Sequence, residues 1–199
     1  EVVEIDRTAK RVRVRKTQEG DEYWESYDKL VYAPGAAAIR PPFAGEGERI
    51  FTLRTVEDTF RLDDLLRDKR PARALVIGGG FIGLEAAENL AERGVAVTLV
   101  QMEDQVMLPF DYDMACILRA QLLAKGIDLR LRSKVVGLAQ AGEEVTASVE
   151  GGTSLSADFA LLAIGAAPET HPAKGAGAEL GRKGAVGVAG HTGVARVHI

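Results

Sequence analysis

The residues best placed to do chemistry are Gly78-Gly79-Gly80-Phe81-Ile82-Gly83, a run in the spacing G-x-G-x-x-G. Each glycine has a separate physical task in such a loop. Gly78 permits a tight strand-to-helix turn, Gly80 lets a pyrophosphate approach the backbone with no Cβ in the way, and Gly83 lets the following helix pack closely on the strand. Unpaired amides and the positive end of the helix dipole then hold the phosphates. A site of this kind usually places an acid at the end of the second strand, about 20 residues on, to grip the adenosine ribose. Gln101 stands in that place, and Glu103 is the nearest acid. Glutamine can donate to or accept from a hydroxyl and carries no charge to repel a 2′-phosphate. No Arg or Lys lies between Gln101 and Ile117 to attract one. The balance favours NADH and leaves NADPH open.

The loop works only if a buried strand feeds it and a helix follows. Ala74-Leu75-Val76-Ile77 is an apolar run suited to a strand covered on both faces of a parallel sheet. Phe81 to Arg93 has helical composition with Gly94 as its stop, and Val95 to Val100 reads as the second strand. Asp111 or Asp113 opens a further helix that presents Met114, Ile117, Leu118 and Leu122 on one face and stops at Gly126. Ile127 to Leu131 then forms a third parallel strand. Val135 to Leu138, Val145 to Val149 and Phe159 to Ile164 supply a hairpin or meander and a last buried strand. Upstream, residues 1–33 alternate as a small antiparallel meander, with short runs around Val2, Val12, Tyr23 and Leu30 to Tyr32. Its basic run Arg11 to Lys16 offers a phosphate stripe or, more economically, the polar face of a half-buried strand. A turn-rich connector follows, and Thr55 is placed to cap a helix that ends near Lys69-Arg70-Pro71. The fold class is α/β: a Rossmann-like, three-layer nucleotide-binding domain with flanking pieces.

Composition narrows the rest. The 199 residues carry 25 Lys plus Arg against 29 Asp plus Glu, a net charge of −4, so no basic field favours nucleic acid or an anionic membrane. No apolar run approaches the ~20 residues that span a bilayer. Cys116 is the single cysteine, so no intrachain disulfide forms, and with nothing cationic beside it in the sequence it reads as a packed thiol. His171, His191 and His198 lack partners at metal-ligand spacing, and no metal site is expected. Walker loops, G-x-S-x-G elbows and H-E-x-x-H helices are missing from the sequence.

Four segments carry a resemblance: Tyr27 to Ala36 (YDKLVYAPGA), Ala74 to Leu90 (ALVIGGGFIGLEAAENL), Val97 to Pro109 (VTLVQMEDQVMLP) and Ala160 to Pro168 (ALLAIGAAP). In order and spacing they resemble the FAD-dependent pyridine nucleotide-disulfide oxidoreductases, nearest the coenzyme A disulfide reductase and NADH oxidase branch. The resemblance implies a split FAD domain with an NAD(P)H domain inserted into it. Residues 1–70 would be a partial FAD segment, 71–168 the NAD(P)H domain and 169–199 the start of the returning FAD segment. It implies that Ala33-Pro34-Gly35 and Ile164-Gly165 are the paired turns between domains. It also implies that Phe81 stands where a ring shields the flavin and that Glu85 is an acid near the nicotinamide. More simply, Phe81 packs under the helix and Glu85 is a favourable charge in its first turn.

The segment Thr192 to Ile199 resembles the lead-in to a Gly-Asp pair that binds the FAD ribityl chain. The FAD fingerprint and redox cysteine of relatives are not in this sequence, and Cys116 matches no catalytic site. The chain therefore reads as the central piece of a cytoplasmic, homodimeric flavoenzyme. That enzyme would pass electrons from NADH or NADPH through FAD to a disulfide-type, persulfide or oxygen acceptor. The piece by itself is expected to hold no FAD, contain no catalytic residue and turn nothing over. The competing reading is a stand-alone nucleotide-binding or regulatory module without flavin chemistry. A direct dehydrogenase is disfavoured, because no Tyr-x-x-x-Lys or His-Asp arrangement follows the fingerprint.

Overall fold

A computed structural model of the chain describes residues 1–181, 185 and 186. His191, His198 and the Thr192 to Ile199 segment lie outside the described residues. The chain divides into two compact units: Glu1–Ala37 with Ala167–Ile199, and Ala38–Ala166. Residues 38–70, grouped with the first segment on sequence grounds, thus pack in the same unit as the glycine loop.

The first unit contains an antiparallel meander of β1 (Val2–Asp6), β2 (Arg11–Arg15) and β3 (Glu22–Ser26). Leu30 to Tyr32, expected as a fourth run, is not a strand. The Arg11, Arg13 and Arg15 side chains are taken up inside the unit. Arg13 pairs with Glu4 at 2.7 Å, Arg15 pairs with Glu22 at 2.8 Å, and the Arg11 guanidinium lies 4.3 Å from the Trp24 ring centroid. That is the face of a strand, and no cluster of free cations remains for phosphate. The chain passes between the units through β4 (Ala36–Ala38) and, further on, β13 (Ala166–Pro168).

In the second unit, β5 (Ile50–Thr52) precedes α1 (Val56–Lys69). Thr55 caps α1: its side chain accepts from the Asp58 amide, and the Asp58 carboxylate accepts from the Thr55 amide. Then come β6 (Arg73–Ile77), α2 (Phe81–Glu92), β7 (Ala96–Val100), α3 (Tyr112–Ala124) and β8 (Asp128–Arg130). Next are β9 (Val135–Ala141), β10 (Glu144–Val149), β11 (Ser154–Ala157) and β12 (Phe159–Leu162), and the first unit receives α4 (His171–Gly175). Gly94 and Gly126 take positive φ after α2 and α3, as helix stops require.

A five-stranded parallel sheet in the order β5-β12-β6-β7-β8 is the middle layer. Strand alternation divides its side chains between two cores. Ala74, Val76, Leu99, Phe159 and Leu161 meet Leu62, Ala87, Leu90 and Leu122 of the helices. Leu75, Ile77, Val100, Ala160 and Leu162 meet Val135, Leu138, Val145 and Ala147 of the antiparallel sheet β11-β10-β9. The three layers are therefore helices, parallel sheet and meander, which explains why β12, and β6 from Ala74 onward, are apolar at every position.

One expectation about a helix face is corrected. Met114 and Ile117 are exposed, and the stripe that α3 buries runs through Ala115, Leu118 and Leu122. Two apolar stripes of similar period lie side by side on α3, and the small Ala115 allows the closer approach to the sheet. Among the described residues no helix is long and apolar enough to cross a membrane.

Candidate functional site

The glycine loop lies at the carboxyl end of β6, where open parallel sheets place their ligands. The Gly78 amide donates to the Val100 carbonyl at 2.8 Å, continuing the β6–β7 ladder one residue into the loop. Gly78 has φ +112°, and a Cβ there would overlap the Ala163 carbonyl, so only glycine turns the chain here. A Cβ at Gly83 would overlap the Gly78 carbonyl oxygen, which is the close strand–helix packing the motif demands. Around Gly80 nothing lies within 4 Å of a Cβ position. That free space adjoins the N-terminus of α2, where Gly80 is the N-cap and no side chain caps the helix. Backbone amides with open space before them are what a pyrophosphate needs.

The segment after β7 holds the loop from below. Gln101 is 8% exposed, and its Oε1 accepts from the Gly79 amide at 3.0 Å. The Met107 amide donates to the Gly79 carbonyl at 2.8 Å, with Met107 buried and in a left-handed conformation (φ +50°). Val106 packs under the same glycine.

These elements enclose a cavity of about 680 Å³. Gly78, Gly79, Gly80, Phe81, Ile82, Gln101, Glu103, Ile164 and Gly165, all singled out in the sequence, line it; Gly83 is buried beneath. Phe43, Met107, Leu108, Ser133 and Lys134 line it too and were not anticipated. Ser133 and Lys134 follow β8, so the rule that ligands collect beyond strand carboxyl ends could have found them. Phe43 enters from the connector and has no sequence signal.

Four expected residues lie elsewhere. Glu85 is exposed and lines a separate cavity of about 400 Å³ between α1 and α2, together with Leu62, Asp63, Asn89 and Arg93. It is the fifth residue of α2, past the first turn, so it is not the first-turn charge of the simpler reading. Ala33, Pro34 and Gly35 belong to the first unit, where the Gly35 carbonyl accepts from the Glu169 amide at 3.0 Å. The Phe81 ring is 59% exposed and meets Phe110 edge-on at 6.3 Å between centroids, so it does not pack under the helix.

Cys116 is half-buried on α3. Among the described residues no group of His, Cys, Asp and Glu could hold a metal ion.

Comparison with known proteins agrees with this geometry. The family described as pyridine nucleotide-disulphide oxidoreductase matches residues 1–198. The coenzyme A disulfide reductase of Staphylococcus aureus (strain JH9) is 32% identical over 188 residues, 94% of this chain and 42% of its own. The chain thus spans about two fifths of the length of this curated relative. The crystal structure of reduced CoADR-RHD from Bacillus anthracis superposes with a TM-score of 0.87 at 41% identity, covering 92% of this chain and 33% of that one. An NAD-dependent persulfide reductase from A. fulgidus superposes with a TM-score of 0.86 at 33% identity, covering 92% and 34%. With a match from end to end, and the glycine loop and parallel sheet that such a match requires, the chain belongs to the pyridine nucleotide-disulphide oxidoreductase family.

Proposed function

We propose that this chain is the nicotinamide-nucleotide-binding region of an FAD-dependent NAD(P)H:disulfide oxidoreductase. The observation that carries the reading is the open space at Gly80 before the uncapped N-terminus of α2, beside a cavity of about 680 Å³. Nucleotide pockets commonly measure about 300–1,000 Å³. The backbone from Gly78 to Gly83 would hold the pyrophosphate, and Gln101 and Glu103 would meet the adenosine ribose. Phe81, Ile82, Ile164 and Gly165 would form the apolar wall toward the nicotinamide. When bound, the nicotinamide supplies a hydride that the flavin of the complete enzyme accepts. The residues here position the donor and exclude water; none of them reacts.

The described residues contain one glycine-rich strand-to-helix turn, and it is used for this nucleotide. Nothing among them offers a second such turn for FAD, so Ala33-Pro34-Gly35 is read as a domain-linking turn beside the flavin. Electron transfer to a disulfide, persulfide or oxygen acceptor is attributed to the complete enzyme. The names of the relatives support the first two acceptors. Glu85 is assigned to the nicotinamide end of α2 on the resemblance alone. The resemblance also implies a cytoplasmic homodimer, and light scattering after size exclusion checks the dimer.

The test is equilibrium titration with NADH. Wild type should bind saturably. Gly80→Val should weaken binding by at least about tenfold, while costing no more than about 1 kcal/mol of stability as a poorer N-cap. Undiminished binding by a folded Gly80→Val protein would contradict the reading.

A further inference from the structure

Gly78-Gly79-Gly80 contains two peptide units with no Cβ on either side, so no side chain prevents either of them from turning over. Each is tied down by the segment that follows β7. The first is held through its N–H, which donates to Gln101 Oε1 at 3.0 Å. The second is held through its carbonyl, which accepts from the Met107 amide at 2.8 Å.

The second tie decides what the loop offers a ligand. In a planar trans peptide the carbonyl and the N–H point in opposite directions. The Gly79 carbonyl and the Gly80 N–H belong to one such unit, and no peptide bond among the described residues is cis. With the carbonyl turned to Met107, the Gly80 N–H is turned away from it and has no hydrogen-bond partner among the described residues. Gly80 lines the cavity of about 680 Å³, with nothing within 4 Å of its Cβ position. Turned over, the same peptide would present a carbonyl oxygen, which repels a phosphate.

Met107 makes this bond from a conformation that side chains rarely adopt. Its φ is +50° and it is 5% exposed, so its surroundings, and not its own preference, hold the left-handed backbone. The Phe110 amide donates to the Met107 carbonyl at 2.8 Å, and Gln105 Nε2 donates to the Phe110 carbonyl at 3.0 Å. Val106, 1% exposed, lies against Gly79.

Resting on the nucleotide-binding reading above, we infer that Met107 is a positioning residue of the loop. Its backbone N–H holds the Gly79–Gly80 peptide so that the Gly80 N–H faces the pyrophosphate. Met107 acts through Gly79, with its backbone and not with its side chain.

Calorimetric titration of wild type, Met107→Gly and Met107→Pro with NADH separates backbone from side chain. Both variants delete the buried side chain. Glycine keeps the N–H and enters the left-handed region freely, whereas proline has no N–H and fixes φ at about −65°. Met107→Pro should bind NADH at least about tenfold more weakly than Met107→Gly. Affinities within about threefold of each other would overturn the inference, because loss of the side chain would then account for the whole effect.

Should Met107→Pro not fold, amide hydrogen exchange of the wild type decides, since it reads the orientation of the peptide. Without nucleotide, the Met107 amide should exchange at least about tenfold more slowly than the Gly80 amide. Saturating NADH should slow Gly80 by about tenfold or more and leave Met107 slow. A Gly80 amide as slow as Met107 in the free protein, or one that bound NADH leaves unprotected, contradicts the inference. If wild type does not bind NADH, the nucleotide reading fails and the inference falls with it. Saturable binding with equal variants, or with Gly80 unprotected, sinks only the role of Met107.

Discussion

Glycines that look equivalent in the sequence do opposite work in the loop. At Gly83 a Cβ has no room, because the Gly78 backbone oxygen is already there. At Gly80 a Cβ has room and would take up the open space in which the nucleotide is proposed to bind. Gly83→Ala should therefore cost about 3 kcal/mol or more of stability, as backbone must move against a packed sheet. Chemical denaturation of the wild type and the variant, read as the difference in unfolding free energy, checks this. A loss below about 1 kcal/mol would show that the helix can slide off the strand. Gly80→Val should do the reverse, sparing stability and removing binding. The glycine spacing was readable without coordinates, and so was the position of Gln101. The inward turn of its oxygen was not, because a side-chain torsion leaves no mark on composition or period.

The β-α-β-α-β run from Arg73 to Arg130 was legible because each element is marked at both ends, by apolar strands, by Gly94 and Gly126, and by the Thr55 cap before it. Strand β5 was not, since the three residues Ile50–Thr52 show no period, and only pairing with β12 makes them an edge of the sheet. The α3 face was misread because tertiary packing chose between two adjacent stripes.

Two links between elements give predictions. Thr55→Ala removes the acceptor for the Asp58 amide at the start of α1 and should cost about 1 kcal/mol. Thermal unfolding reads it as a lower Tm, and an unchanged Tm would show that Asp58 alone suffices as a cap.

Asp158, just before β12, accepts from the Ala72 amide at 2.7 Å, the Arg73 amide at 3.0 Å and the Arg73 guanidinium at 3.1 Å. Burial pushes its carboxyl upward, but these donors and the Arg73 charge outweigh that and leave it below the usual aspartate range. Its folded pKa thus lies under its unfolded value. The stabilisation is complete above about pH 4 and is lost as pH falls through the lower folded value. Asp158→Asn should lower stability at neutral pH and flatten its fall between about pH 5 and pH 3. An identical acid profile in the variant would remove Asp158 from the account.

On the scale of the whole molecule, the chain is a region of a family whose curated relative is more than twice as long. Its described residues contain one glycine-rich strand-to-helix turn, proposed to hold the nicotinamide nucleotide, and the chain alone is expected to show no flavin absorbance in the visible. A yellow preparation would show that FAD can be held without a second glycine-rich turn. The most direct test of the central claim is a backbone amide NMR titration with NADH. The account predicts saturable shifts of Gly79, Gly80, Phe81 and Ile82, at the loop and the α2 N-terminus, with the α1 amides little changed. Saturable binding that leaves those loop amides unmoved, or no binding at all, would contradict it.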